Sequence, residues 1–201
     1  MSGITKLRLI GLAGTNGSGK DTVGHLLADR YNFLFVSVSD FLRDEAKRRG
    51  LEVSRPVLRM ISAEWRREFG LGVLVDRSVE LLQSSDGRYS GVVASPMRNS
   101  GEAQHLKDLG GILIWVDADP RLRYERIKKG NRGRPEEDDK TFKQFLEEEQ
   151  AEMHRSGDDA TLNVADVKKL ADVYLENNDD VDSLNVALKG LWDFIKYYTP
   201  A

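Results

Sequence analysis

Short apolar, β-branched runs recur along the chain at residues 7–13, 33–38, 92–94, 112–116 and, more weakly, 173–175. Each is bounded by polar or turn-forming residues and predicts a buried strand. Between them the period lengthens to that of a helix. It does so at 20–30 and at roughly 40–50, 56–69, 73–83, 101–109, 120–129, 140–154 and 182–197. In the segment 56–69, Val57, Ile61, Trp65 and Phe69 stand four apart and predict a core-facing stripe. Leu184, Leu188, Leu191 and Ile195 predict another in the last helix. Strands that alternate with helices imply parallel pairing, with helices on both faces of the sheet. The expectation is one α/β domain spanning 1–201, a three-layer α/β/α arrangement around a five-stranded parallel sheet.

Composition narrows this little. Hydrophobic residues make up 40% and charged residues 31% of 201 residues, as in an ordinary globular chain. A net charge of −3 gives no footprint for a nucleic-acid polymer or a basic membrane surface. The chain has no cysteine, which removes disulfides, thiolate metal sites and cysteine nucleophiles. The run 7–13 is short and soon broken by Gly14, so it reads as a strand and not as a signal peptide or membrane span. A cytoplasmic location is expected. His25, His105 and His154 are scattered without metal-ligand spacing, and no transition-metal site follows from them.

Chemistry enters at residues 14–22, GTNGSGKDT. Gly14, four intervening residues, Gly19 and Lys20 match the first part of a phosphate-binding loop, between an apolar strand and a helix as that motif requires. Glycines let backbone N–H groups converge on phosphate oxygens, and the helix N-terminus adds a favourable dipole. Thr15, Asn16, Gly17, Ser18 and Asp21 complete the loop, and Lys20 offers a point charge for phosphate. Asp21 occupies the usual hydroxyl position, and Thr22 offers a hydroxyl one residue later.

A lysine, one intervening residue and then threonine resembles the loop of adenylate kinase and its nucleoside monophosphate kinase relatives. FVSVSDFLRDE, residues 35–45, resembles the start of their acceptor-binding helix. The likeness assigns Asp40 to hydrated magnesium and Arg43 to the acceptor phosphate. From the residues alone, Asp40 is a helix N-cap candidate and Arg43 an exposed helical residue. VVASPMRNSGEAQHL, residues 92–106, is similar to the segment whose arginine touches both acceptor and donor phosphates, here Arg98. RNSGEA stands closer to the dephospho-CoA kinase-like, adenylate kinase-related branch. Those families commonly end this strand with an acidic residue; this chain has Ser95.

Where adenylate kinases show threonine and glycine beside the acceptor base, Val38 and Ser39 stand here. Glu102 replaces their adenine-reading glutamine and could accept hydrogen bonds from an amino-bearing base. Asp117 reads as the cap of the helix that follows it. Seven basic residues crowd 121–134, and the family's lid arginines fall there, with Arg126, Arg132 and Arg134 as candidates. The acceptor-binding helical segment is expected at about 40–85 and a short lid at about 128–140. Asn177 and Asn178 stand at the turn where the family meets the donor base.

The resemblance implies an ATP-dependent phosphotransferase using Mg2+, with Thr22 and Asp40 as the metal-side groups, the latter through water. Lys20, Asp40, Arg98, Arg132 and Arg134 are the catalytic candidates. Arg126 joins the loop on the ATP side, while Asp40, Arg43, Arg98 and Glu102 form the acceptor side. The expected acceptor is a nucleoside or deoxynucleoside monophosphate. Phosphorylation of a hydroxyl as in dephospho-CoA, with Asp40 as base, and a nucleotide-binding protein without turnover stay open as alternatives. A GTPase would show an Asn-Lys-x-Asp motif, which the chain lacks. The partner is a small-molecule phosphate acceptor, and the protein a monomer or homodimer.

Overall fold

The computed structural model describes residues 8–130, 140–153 and 157–197. In chain order the elements are β1 (Leu9–Gly14), α1 (Lys20–Tyr31), β2 (Phe33–Ser37), α2 (Val38–Arg48), α3 (Arg55–Phe69) and α4 (Val73–Gln83). There follow β3 (Gly91–Ser95), α5 (Ser100–Asp108), β4 (Ile112–Asp117), α6 (Pro120–Lys129) and α7 (Phe142–Met153). The chain continues with α8 (Val164–Lys169), β5 (Val173–Glu176) and α9 (Val181–Tyr197).

Among the described residues the strands form one sheet in the order β2-β3-β1-β4-β5, every pair parallel. Side chains alternate between its two faces, as the period of a strand requires. Ile10, Leu12, Val93, Ile114 and Val116 pack with Val23 and Leu27 of α1 and with Leu184, Leu188, Leu191 and Ile195 of α9. Leu9, Ala13, Val92, Ala94, Leu113 and Trp115 pack on the opposite side with α2–α5 and α8. Sheet and helices together make the expected three layers. No helix among the described residues is long and apolar enough to cross a membrane.

Several local expectations change. α2 begins at Val38 with Ser37 at its N-cap position, so Asp40 lies inside the first turn and caps nothing. Asp119, not Asp117, caps α6 by accepting from the Arg121 and Leu122 amides. Asp117 instead accepts from Trp115 Nε1, the Ala118 amide and Lys168. Ile61 and Trp65 of the α3 stripe are buried and Val57 half-buried, but Phe69 is 54% exposed. The stripe runs out where α3 passes the edge of the core. The short helix α8 was not expected; Asn163 caps it by accepting from the Asp166 amide.

β1 lies between β3 and β4: the chain runs from β1 to β2 and β3 on one side of it, then crosses from β3 to β4 and β5 on the other. A crevice opens beyond the C-terminal strand ends at such a switch point. Ser37 and Ser95 are level there in the β2–β3 register.

Candidate functional site

The loop between β1 and α1 is held by its neighbours as well as by its glycines. Gly17 has φ +78°, and a Cβ there would lie 2.6 Å from the Arg123 carbonyl oxygen. Gly19 has φ +94°, and a Cβ would lie 2.3 Å from Asn177 Nδ2. Any side chain would face both backbone strain and a clash. Asn177 donates to the Ser18 carbonyl at 2.8 Å, and its own carbonyl accepts from Arg126 at 2.8 Å. Arg126 also reaches the Asp179 carbonyl at 3.5 Å and is not among the residues lining the cleft. Arg123 is buried and donates to the Asn16 carbonyl at 3.3 Å, while Glu149 takes its guanidinium from the other side.

Lys20 opens α1, is 8% exposed and donates to the Thr15 carbonyl at 2.6 Å. Ser18 is buried within the loop. The buried hydroxyl of Thr15 has no partner among the described residues. A loop with glycine geometry, a helix N-terminus and a lysine is arranged to receive phosphate oxygens.

A cleft of about 250 Å3 opens beside this loop. Asn16, Gly17, Gly19, Lys20, Asp21 and Thr22 line it from the loop and α1, Arg43 from α2 and Arg98 from the segment after β3. Gly14 and Thr15 face a smaller adjoining cavity with Asn16. The structure therefore brings the loop and two sequence-predicted acceptor arginines to one place. Asp40 does not line the cleft: its side chain is 62% exposed and accepts from Arg43 at 2.5 Å. Asp21 Oδ1 lies 3.2 Å from Ser95 Oγ. A carboxylate from α1 thus stands at the strand end where the resembled families place one on the strand itself. Arg132 and Arg134 lie outside the described residues.

Glu102, expected beside the acceptor base, is placed elsewhere. It is wholly buried, and Arg66 donates to it from Nη2 at 2.7 Å and from Nε at 3.0 Å. Arg66 also donates to Ser62 Oγ and to the Ala160 carbonyl. Neighbouring Asn99 caps α5 and donates to the Asp159 and Thr161 carbonyls. The RNSGEA segment is thus a latch joining β3, α3, α5 and the chain at 159–161, and it presents Arg66, not Glu102, to the cleft.

Three further cleft residues escaped the sequence. Arg55 and Arg59 stand one turn apart on α3, and Glu152 projects from α7. Glu152 accepts from Arg59 at 2.5 Å, Arg98 at 2.9 Å and Arg55 at 3.5 Å. Burial pushes its carboxyl upward, but Arg98, Arg55 and Arg59 outweigh this and hold it below the usual carboxylate range. The one available signal was the four-residue spacing of Arg55 and Arg59 next to the acceptor segment. Glu152, nearly a hundred residues from them, gave none.

Residues 13–143 match the family described as AAA domain. A UPF0200 protein of Hyperthermus butylicus is 30% identical over 192 residues, covering 95% of this chain and 96% of that protein. A UPF0200 protein of Pyrobaculum aerophilum is 31% identical over 173 residues, 85% of this chain and 88% of its own. Among solved structures, shikimate kinase from Bacteroides thetaiotaomicron superposes with a TM-score of 0.59 at 14% identity, over 94% of this chain and 98% of that one. Shikimate kinase from Acinetobacter baumannii in complex with shikimate gives 0.54 at 18% identity, over 96% and 95%. The fold is that of the P-loop kinases.

Proposed function

The chain belongs to the UPF0200 family and contains an AAA domain, and on that premise we propose that it is an ATP-dependent small-molecule kinase. It transfers the γ-phosphoryl group to a nucleotide-type acceptor that already carries phosphate, a nucleoside or deoxynucleoside monophosphate. One observation carries the reading. A single cleft gathers Lys20 and the loop from one side with Arg43 and Arg98 from the other.

In this reading the loop amides and Lys20 bind the donor phosphates, and Arg126 and Asn177 border the donor-base side. Arg43 and Arg98 hold the acceptor phosphate so that one of its oxygens faces the γ-phosphorus in line. Phosphoryl transfer needs little beyond such positioning and charge neutralisation. Arg132 and Arg134 belong to the lid of this scheme and cover the transferring group.

Mg2+ fits the oxygen donors beside Lys20, namely the Thr22 hydroxyl and the Asp21 carboxylate, while Asp40 on α2 is not among the residues lining the cleft. When bound, it supplies charge neutralisation to the phosphates. A phosphate acceptor is already anionic and needs no base. A hydroxyl acceptor needs one, and Asp40, the carboxylate assigned to that task, is tied to Arg43 outside the cleft lining.

The test is ADP release from Mg-ATP across nucleoside monophosphates, deoxynucleoside monophosphates and dephospho-CoA. Stimulation by at least one monophosphate is expected. Stimulation by dephospho-CoA alone would move the chemistry to a hydroxyl. A flat response to every acceptor would replace the kinase with a nucleotide-binding protein.

A further inference from the structure

Beside its charged groups the cleft has an apolar wall, made by Val38 and Leu42 of α2, Leu58 of α3, Leu74 of α4 and Leu162. Ser62 and Arg66 line the cleft from α3 as well. With Leu58 they are spaced four apart and so share one face of that helix. Arg66 lies seven residues beyond Arg59, about 10 Å along α3. Arg59 meets Arg98 on Glu152, so Arg66 is set back from the end where Arg98 stands.

Arg66 is an arginine whose charge is already spent. Its partner Glu102 is wholly buried and balances it inside the wall. An anionic group arriving there finds no unshared cation, and what remains on offer is hydrogen bonding. That can be counted. Nε and Nη2 donate to Glu102 Oε1, and Nη1 donates to Ser62 Oγ and to the Ala160 carbonyl. One of the two N–H groups on Nη2 is left without an acceptor among the described residues. Ser62 adds no donor, because its hydroxyl donates to the Arg59 carbonyl at 2.9 Å. The guanidinium cannot turn without breaking bonds to α5, to its own helix and to residue 160. With 2% of the side chain exposed, it offers the cleft one fixed edge.

We propose that Arg66 reads the ring of the acceptor and selects a ring carbonyl over a ring amino group. The proposal rests on the monophosphate reading above and narrows its acceptor to the oxo bases. A carbonyl oxygen accepts the spare N–H at the apolar wall. An amino group at the same ring position brings hydrogens of its own, and two donors then face each other unpaired. This polarity is the reverse of the one Glu102 implies in the sequence, because Arg66 and not Glu102 lines the cleft. Glu102 serves by holding the guanidinium still.

Equilibrium binding of dUMP against dCMP, and of IMP against AMP, tests this in protein saturated with Mg-ADP. Each pair exchanges a carbonyl for an amino group on one ring. In at least one pair the oxo member is expected to bind about 30-fold tighter. Replacing both buried partners, Arg66→Met together with Glu102→Met, strands no charge. It should shrink that preference to within about threefold and leave Mg-ADP affinity unchanged. A preference under about threefold in both pairs of the unaltered protein, or one for the amino member, would overturn the proposal without any variant. A preference that survives the double substitution intact would take the reading away from Arg66. Mg-ADP binding with no binding of any monophosphate would instead remove the monophosphate reading on which the proposal rests.

Discussion

Two of the arginine–carboxylate groupings along α3 have opposite surroundings. Arg66 and Glu102 are sealed, with side chains 2% and 0% exposed, and further hydrogen bonds from Arg66 fix its orientation. Arg59, Arg55 and Glu152 keep part of their surface open to the cleft. Arg66 forms part of the cleft wall, but at that exposure the pair does not exchange freely with water, so losing one member strands the other. An open cluster can exchange its partners with water, so its contribution to folding is small. The same two side-chain chemistries, about two to three helical turns apart, are thus locked into the scaffold in one place and left partly open to the cleft in the other.

The comparison breaks most easily at its sealed end. Glu102→Ala leaves Arg66 charged and unpaired in the interior and is expected to cost about 3–5 kcal/mol of unfolding free energy. Urea denaturation measures it, and a cost under about 1 kcal/mol would remove the distinction. Arg98→Ala is the sharper test of the open end. It should lower kcat/KM for the acceptor about 100-fold and leave Mg-ATP affinity within about twofold. Equal losses in both would place Arg98 on the donor or in the scaffold.

The smallest effect concerns Glu152. Its carboxyl is held below the usual range, so the unfolded chain takes up the proton first as pH falls. Its contribution is therefore complete above the ordinary carboxylate value and is lost as pH drops through the lower folded value. Because the cluster is partly open, that contribution should stay within about 1 kcal/mol. Unfolding of the unaltered protein and of Glu152→Gln, followed from pH 6 downward, should converge in acid. A gap that widens in acid contradicts the assigned direction.

Legibility in the sequence followed the distance over which each feature is determined. The phosphate loop is set by consecutive residues, and its glycines could be placed from the chain alone. β1, β3 and β4 were equally plain, because a strand buried on both faces reads as an unbroken apolar run, whereas the half-exposed edge strand β5 gave a weaker one. Glu102 was misplaced because what decides its surroundings is Arg66, 36 residues earlier on another element. Nothing near Glu102 in the chain announces a buried partner. The cluster at Glu152 was invisible for the same reason, since it exists only once α7 lies against α3. Asp40 and Asp117 show a smaller error of the same kind. Each looked like a cap, but the helix beside it starts at a different residue from the one its local sequence suggested. The six-residue helix α8 was too short to establish a period, although Asn163 followed by Asp166 gave a capping signal.

The central claim is that the loop around Lys20 delivers phosphoryl groups to an acceptor held across the same cleft. Its most direct test follows the labelled γ-phosphoryl of ATP into an acceptor monophosphate, in the unaltered protein and in Lys20→Ala. The account predicts labelled product from the first, and a loss of at least about 100-fold in a second chain that remains folded by circular dichroism. Transfer that persists in Lys20→Ala at the unaltered rate would contradict it.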